Sequence, residues 1–223
     1  MIISNVMAVS LDGRISSHKG ENESDREKYG FVVESDKKWV TGHLEKADAV
    51  IIGADSMRAA NKIWAVKNQH GRYPIWVVLT RKGLDPDLEF WDQKEVPRIL
   101  VSPEPLASIA RTSTGVEHLV SEANNAPGFV TDLLSSRNCQ RVILFGGGRI
   151  NQQFYQAGLV SELHLTLAPV IIGHTLGSFF VNPDLSHPVL LSLTSSQVQE
   201  NHVFLSYHVK NRPGESSQLN HHN

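Results

Sequence analysis

Short apolar runs rich in β-branched residues alternate along most of this chain with amphipathic, helix-like stretches. That alternation constrains the fold more than any other feature. The runs IISNVMAVS (2–10), DAVIIG (48–53), PIWVVLT (74–80), RILVS (98–102), VEHLVS (116–121) and RVILFG (141–146) read as strands. Between them the spacing predicts helices over roughly 35–46, 55–61, 104–111, 127–136 and 149–157. Strands separated by crossover helices pair in parallel, so a mostly parallel sheet with helices on both faces is expected. The last third breaks the rhythm. Residues 162–173, 188–196 and 202–210 look like strands with no helix between them, so they must join antiparallel. The expected class is α/β: a three-layer αβα arrangement whose mixed, mostly parallel sheet ends in antiparallel strands. No linker or repeat divides the chain, so residues 1–210 are expected to form one domain and the polar tail 211–223 to be disordered.

Composition narrows the function classes. Lys and Arg total 21 against 23 Asp and Glu, for a net charge of −2, so no basic footprint for nucleic acid is present. No apolar run approaches the ~20 residues that span a bilayer. The first residues, MIISNVMAVSLDGR, lack the features of a secretory leader. Cys139 is the single cysteine, which suits a reducing cytoplasm and reads as a buried, inert thiol. The eleven histidines are scattered without an i, i+4 pair, so no metal centre is expected.

Two strand ends carry glycine turns. In ILFGGGRINQQF, three consecutive glycines, Gly146, Gly147 and Gly148, close an apolar run and open a helix-like stretch. They fit a tight turn, close helix–strand packing, or a cradle of backbone N–H groups for a phosphate at a helix N-terminus. The strict dinucleotide fingerprint is not met, because Asn151 stands where the third glycine belongs, and no Walker loop follows. AVIIGADSMRAANK repeats the grammar with Gly53 and Ser56, the serine being either a helix cap or a hydroxyl offered to a ligand. A third strand end, WVVLTRK, carries Thr80, Arg81 and Lys82. These read as a solvated basic turn, or Arg81 as the partner of a phosphate ester such as the 2′-phosphate of NADP. In a doubly wound sheet all three turns lie at the carboxyl edge of the strands, where ligands settle.

The order SLDGRIS, ADAVIIGADSM, PIWVVLT and ILFGGGRINQQFYQAGLVSELHLTLAPVIIG resembles the reductase domain of riboflavin biosynthesis, a member of the dihydrofolate-reductase-like fold. The resemblance covers roughly residues 1–209, and no zinc deaminase signature accompanies it, so it implies a free-standing reductase. It implies that NADPH reduces the ribose of a ribosylamino-pyrimidine phosphate. It places cofactor contacts at Ala8, Gly53, Ser56, Arg81, Gly146, Gly147, Gly148, Arg149 and Ile150, with the glycines set against the cofactor pyrophosphate.

The substrate side departs from the family pattern. Phe145 replaces a glutamate, Leu44 an arginine, Ala60 an aspartate and Lys67 an arginine. Asn61, Lys67 and Phe145 are expected to meet the substrate, with Trp39 and Trp64 flanking the cleft. Asp12, in SLDGR, is the one candidate proton donor, although it reads first as an Asp-Gly turn residue capping the backbone. The departures keep two other functions open: reduction of another planar heterocycle such as a pterin, or a non-catalytic NADPH-binding module. The family resemblance further implies a homodimer, with 162–173 and 202–210 as edge strands, in the cytoplasm.

Overall fold

The computed structural model describes residues 1–106, 115–121, 125–173 and 176–210. In chain order the elements are β1 (Ile2–Val9), α1 (Glu23–Lys28), α2 (Glu34–Leu44), β2 (Ala49–Gly53), α3 (Ala54–Ala60), β3 (Ile75–Leu79) and a 3-10 turn (Glu89–Asp92). They continue with β4 (Arg98–Ser102), β5 (Val116–Val120), α4 (Ala126–Ser136), β6 (Arg141–Gly146), α5 (Gly148–Gln156), β7 (Glu162–Leu167), β8 (Leu191–Gln199) and β9 (His202–Val209). All nine strands join one sheet in the order β5-β4-β3-β2-β6-β1-β7-β9-β8. The first seven in that order are parallel, while β9 runs antiparallel to β7 and to β8. The expected mixed sheet is therefore present.

Every residue of β2 and β4 is buried, as befits parallel strands covered on both sides. On one face Ile51, Val77, Ile99 and Leu144 pack against Val130 and Leu134 of α4 and Phe154 and Tyr155 of α5. On the other, Val50, Ile52, Trp76, Val78 and Ile143 pack against Leu44 of α2 and Met57 of α3. These two apolar layers set the three-layer arrangement.

Several expectations need correction. The strand expected over 162–173 ends at Leu167, because Pro169 has no N–H to offer and Val170 N–H turns back to the Ala168 carbonyl at 2.8 Å. The strand expected over 188–196 starts only at Leu191, beyond Pro188. Neither 162–173 nor 202–210 is a free edge, since β7 lies between β1 and β9, and β9 between β7 and β8. The true edges are β5 and β8. Helix α1 was not expected. It has no buried residue, so no apolar period announces it, and it rests on a capping box between Asn22 and Asp25. Most of the expected helix 104–111, and the tail 211–223, lie outside the described residues.

Candidate active site at the carboxyl edge of the sheet

The two glycine turns meet because β2 and β6 are neighbours, with Ile52 in register with Gly146. Ser56 joins them: its Oγ accepts a hydrogen bond from the Gly147 N–H at 3.2 Å. What forbids side chains here is protein packed against protein. A Cβ on Gly53 would stand 3.0 Å from Ile150 Cγ1 and 3.3 Å from the Gly146 carbonyl oxygen. One on Gly146, whose φ is +69°, would overlap the Asn151 amide, and one on Gly148 would overlap the Phe179 carbonyl. At Gly147 the nearest atom is Ser56 Oγ, at 3.1 Å. The glycines thus let β2, β6, α5 and the 177–182 segment converge, and this requirement exists before any ligand arrives.

Asn151, in the place of a third glycine, is fully buried and satisfied. Its Nδ2 donates to the Phe180 carbonyl at 2.8 Å, and its Oδ1 accepts from Asn5 Nδ2 at 3.2 Å. Asn5 donates also to the Leu144 carbonyl at 2.7 Å and accepts from the Tyr155 hydroxyl at 3.1 Å. This network fixes α5 on the sheet and aims its first turn at the carboxyl edge. No side chain caps α5. The backbone N–H groups of Gly148, Arg149 and Ile150 find no acceptor among the described residues. Three such donors at the positive end of a helix dipole suit an anionic group. Arg149 is exposed beside them.

Beyond β3, Thr80 Oγ1 donates to the Gly83 carbonyl at 2.8 Å and closes a tight turn. Arg58 of α3 holds that turn from below, through Asp85 at 2.9 Å and the Gly83 carbonyl at 2.7 Å. Arg81 at the tip is exposed and makes no ion pair among the described residues. Ala8 is buried near the end of β1, in register with Thr166 of β7 and packed with Phe31 and Ala168. Ala8, Gly53, Ser56, Arg81 and residues 146–150 therefore share one edge of the sheet. Their donor set fits a dinucleotide carrying an extra phosphate: N–H groups for the pyrophosphate, and an unpaired guanidinium for a phosphate ester.

The expected substrate residues scatter. Phe145 is half-buried, with its ring 5.8 Å from that of Trp76, on the α2–α3 face of the same edge. Asn61 takes the left-handed conformation (φ 63°), and its amide binds Glu89 through Nδ2 at 2.9 Å and through Oδ1 at 3.2 Å. Its polar atoms thus hold the end of α3 to the 3-10 turn. Lys67 goes to the wrong end of the sheet. Its neighbour Asn68 binds the Ala47 carbonyl at 3.0 Å, just before β2 begins, and its own Nζ lies over Tyr73, just before β3. The loop after α3 has already crossed to the start of the strands, a path that sequence spacing does not reveal. Leu44 is wholly buried in the core, Ala60 and Trp64 are exposed, and Trp39 packs edge-on against His43.

Asp12 is a turn anchor. Its carboxylate accepts from Ser10 Oγ at 2.6 Å and from the N–H groups of Ile172 and Gly173 at 3.0 and 2.9 Å. The Ser10 hydroxyl, followed by the two amides, holds it far below the usual carboxylate range. It carries no proton to give near neutral pH.

The sequence reading missed Asp36. It sits in the first turn of α2, only 6% exposed, hydrogen-bonded to Thr166 of β7. Its Oδ1 has no partner among the described residues. Burial pushes its pKa up, against the opposing pull of the Thr166 hydrogen bond and of the Arg26 and His202 charges. Thr166 is the residue in register with Ala8, so this carboxyl group belongs to the carboxyl edge. An aspartate in a first helical turn is ordinarily a partner of the helix dipole, so nothing in the sequence sets this one apart.

Two open clefts, of about 370 and 150 Å³, lie at the opposite edge of the sheet. The larger is lined by Arg98, whose guanidinium binds the carbonyls of Phe90 and Trp91, and the smaller by His43, Glu162 and His164. Neither touches the glycine turns. The convergence of donors at strand ends, rather than hollow volume, locates the site.

The family model described as the RibD C-terminal domain matches residues 1–205. The chain belongs to this family. It is 30% identical to the riboflavin biosynthesis protein RibD of Synechocystis sp. over 74% of its own length, and spans 44% of that relative. It is 25% identical to the 2,5-diamino-6-ribosylamino-4(3H)-pyrimidinone 5′-phosphate reductase of Aquifex aeolicus, over 75% of this chain and 76% of the relative. A pyrimidine reductase-like protein from Corynebacterium diphtheriae shares the fold, with TM-score 0.78 and 22% identity over 94% of this chain and 92% of the other. Dihydrofolate reductase from Enterococcus faecalis, solved with NADP(H), has the same fold at TM-score 0.53 and 14% identity, over 94% of this chain and 97% of the other. The dihydrofolate-reductase-like architecture expected from the motif order is borne out.

Proposed function

We propose that this RibD C-terminal domain is an NADPH-dependent reductase acting on the ribose of a ribosylamino-pyrimidine 5′-phosphate, in riboflavin biosynthesis. The observation that carries this reading is the union of both glycine turns with Arg81 at one sheet edge, in a family whose relatives include a reductase of that substrate class. NADPH supplies the hydride when bound. The protein's part is to hold and orient: the amides of Gly148, Arg149 and Ile150 for the pyrophosphate, Arg81 for the 2′-phosphate, and the backbone beside Ala8 for the nicotinamide end. Asp36, buried and with a raised pKa, is the side chain able to hold a proton for the reduced carbon's neighbouring heteroatom. Steady oxidation of NADPH that depends on the ribosylamino-pyrimidine 5′-phosphate tests the proposal. Cofactor binding without turnover of that substrate would overturn it.

A second reading, reduction of another planar heterocycle such as a pterin, draws support from Phe145. It stands where the family resemblance leads one to expect a charge, and its ring beside Trp76 offers an apolar surface for stacking. Competition by ribose 5-phosphate separates the two readings, since only the first requires a phosphate pocket.

Cofactor preference rests on Arg81. Arg81→Ala is expected to weaken NADPH by roughly ten- to a hundredfold, the loss of one charge-assisted phosphate contact, and to leave NADH nearly unchanged. Equal losses measured for both dinucleotides would contradict the assignment.

We further propose a cytoplasmic homodimer formed through the C-terminal strands. Cross-strand pairing puts Leu163, Leu165 and Leu167 of β7, Val203, Leu205, Tyr207 and Val209 of β9, and Leu191, Leu193 and Val198 of β8 on one sheet face. Leu193 and Val198 are 56% and 73% exposed on the free edge strand. A contiguous apolar sheet face of this kind suits burial against a copy of itself. Sedimentation is expected to show a dimer, with Val198→Asp shifting it towards monomer. A monomeric parent protein would remove the proposal.

A further inference from the structure

Arg14 is 7% exposed, yet no carboxylate forms an ion pair with it among the described residues, and its Nε–H has no partner. A buried guanidinium without a counter-ion is costly to keep. What Arg14 does touch is a single segment. Its Nη1 donates to the Gly177 carbonyl at 2.8 Å, and its guanidinium lies 3.5 Å from the centre of the Phe179 ring. The backbones follow: Arg14 and Phe179 form an antiparallel bridge, Ile15 N–H donates to the Ser178 carbonyl at 2.8 Å, and Phe180 N–H to the Gly13 carbonyl at 3.0 Å.

The other side of the same segment grips the glycine turn. The Phe179 carbonyl occupies the space above Gly148, the Phe180 carbonyl accepts from Asn151, and Asn182 N–H donates to the Gly148 carbonyl at 3.1 Å. Residues 177–182 therefore form a brace between the turn after β1 and the first turn of α5.

We propose that Arg14 is a positioning residue for the cofactor: by clamping the 177–182 brace it holds the α5 amides in place to receive the dinucleotide phosphates. This rests on the reductase reading for the identity of the ligand. The guanidinium's planar fork is what the arrangement uses, one edge bonding a carbonyl while the face stacks on an aromatic ring.

The test is titration of the full-length protein with NADPH by fluorescence, alongside hydrogen exchange of the ligand-free protein. Arg14→Met is expected to raise the Kd roughly 3- to 30-fold, to leave kcat at saturating NADPH much less changed, and to speed exchange at Ile15, Phe180 and Asn182. Arg14→Lys keeps the charge without the fork and is expected to recover only part of the affinity. Phe179→Leu, which removes the stacked ring, is expected to reproduce part of the loss, and the double variant to fall short of the sum. Lower thermal stability in both single variants with unchanged Kd and unchanged exchange at those amides would overturn the inference. So would full recovery by Arg14→Lys, which would assign the effect to charge alone. Failure of the parent protein to bind either nicotinamide dinucleotide would instead overturn the reductase reading, and this inference with it.

Discussion

Gly148→Ala is expected to weaken NADPH at least about tenfold and to lower stability by about 1–3 kcal/mol, the usual range for forcing a methyl into a filled site. The position follows an extended N-cap and opens α5, so its backbone is one that alanine adopts without strain. The obstacle is steric, because the new Cβ falls on the Phe179 carbonyl oxygen. That oxygen is backbone, braced from behind by the Arg14 turn, and it cannot swing aside as a side-chain tip would. Relief requires either the brace or the first turn of α5 to shift, and the latter carries the amides assigned to the cofactor. Gly42→Ala is the control: within α2 a Cβ there meets nothing within 4 Å. It should stabilise by about 0.5–1 kcal/mol through helix propensity, with no effect on binding. Thermal denaturation and a binding titration on the two variants decide the matter. If Gly148→Ala binds NADPH normally, the first turn of α5 is not the cofactor cradle.

Asp36→Asn is expected to lower kcat by roughly 100- to 10,000-fold, the range for loss of a general acid, while the melting temperature measured above the folded pKa of Asp36 does not fall. The two parts of this expectation have one cause. Burial raises the Asp36 pKa above its unfolded value, so the folded state binds the proton more tightly. Its contribution to stability is therefore greatest at low pH and is lost as pH rises through the folded pKa. Above that pKa the ionised, desolvated carboxylate is a burden, and a neutral amide of the same shape removes it. In the parent enzyme the rate should fall as pH rises through that same pKa. A parent-like rate in Asp36→Asn, or a rate without that limb in the parent, would exclude Asp36 as the proton carrier.

The smaller effects follow the same logic of what is already satisfied. Asp12 looked like a candidate acid in the sequence because Asp-Gly follows a strand. Its three hydrogen bonds leave it an anchor for the 170–173 turn. Asn61 looked like a polar substrate contact, and its amide is consumed by Glu89 across a loop of 27 intervening residues. Polar side chains near a site are legible in a sequence, but whether their hydrogen-bonding capacity is already used depends on neighbours far along the chain.

The sheet itself was legible from the chain alone. Strand runs such as VIIG and VILFG are too apolar and too short for anything but buried parallel strands, and the helices between them force the crossovers. From this the carboxyl edge follows, and with it the placing of Gly53, Arg81 and the 146–148 turn together. These are local signals: periodicity, β-branching and turn chemistry act over a few residues. The limits of β7 and β8 were misjudged where a proline removed a ladder donor, and α1 escaped because its capping box works without any buried face.

Three things were decided only by the tertiary structure. The glycines answer to Ile150, Asn151 and Phe179, partners whose approach depends on how β2, β6 and the 177–182 brace pack. Lys67 was separated from the site because the loop after α3 crosses the sheet before reaching it. Asp36 acquired a candidate role because α2 lays it over Thr166, where desolvation, a property of everything around a group rather than of the group, raises its pKa. The physical reason is common to all three: close contact, path and dielectric are set by residues distant in sequence, and no local pattern encodes them.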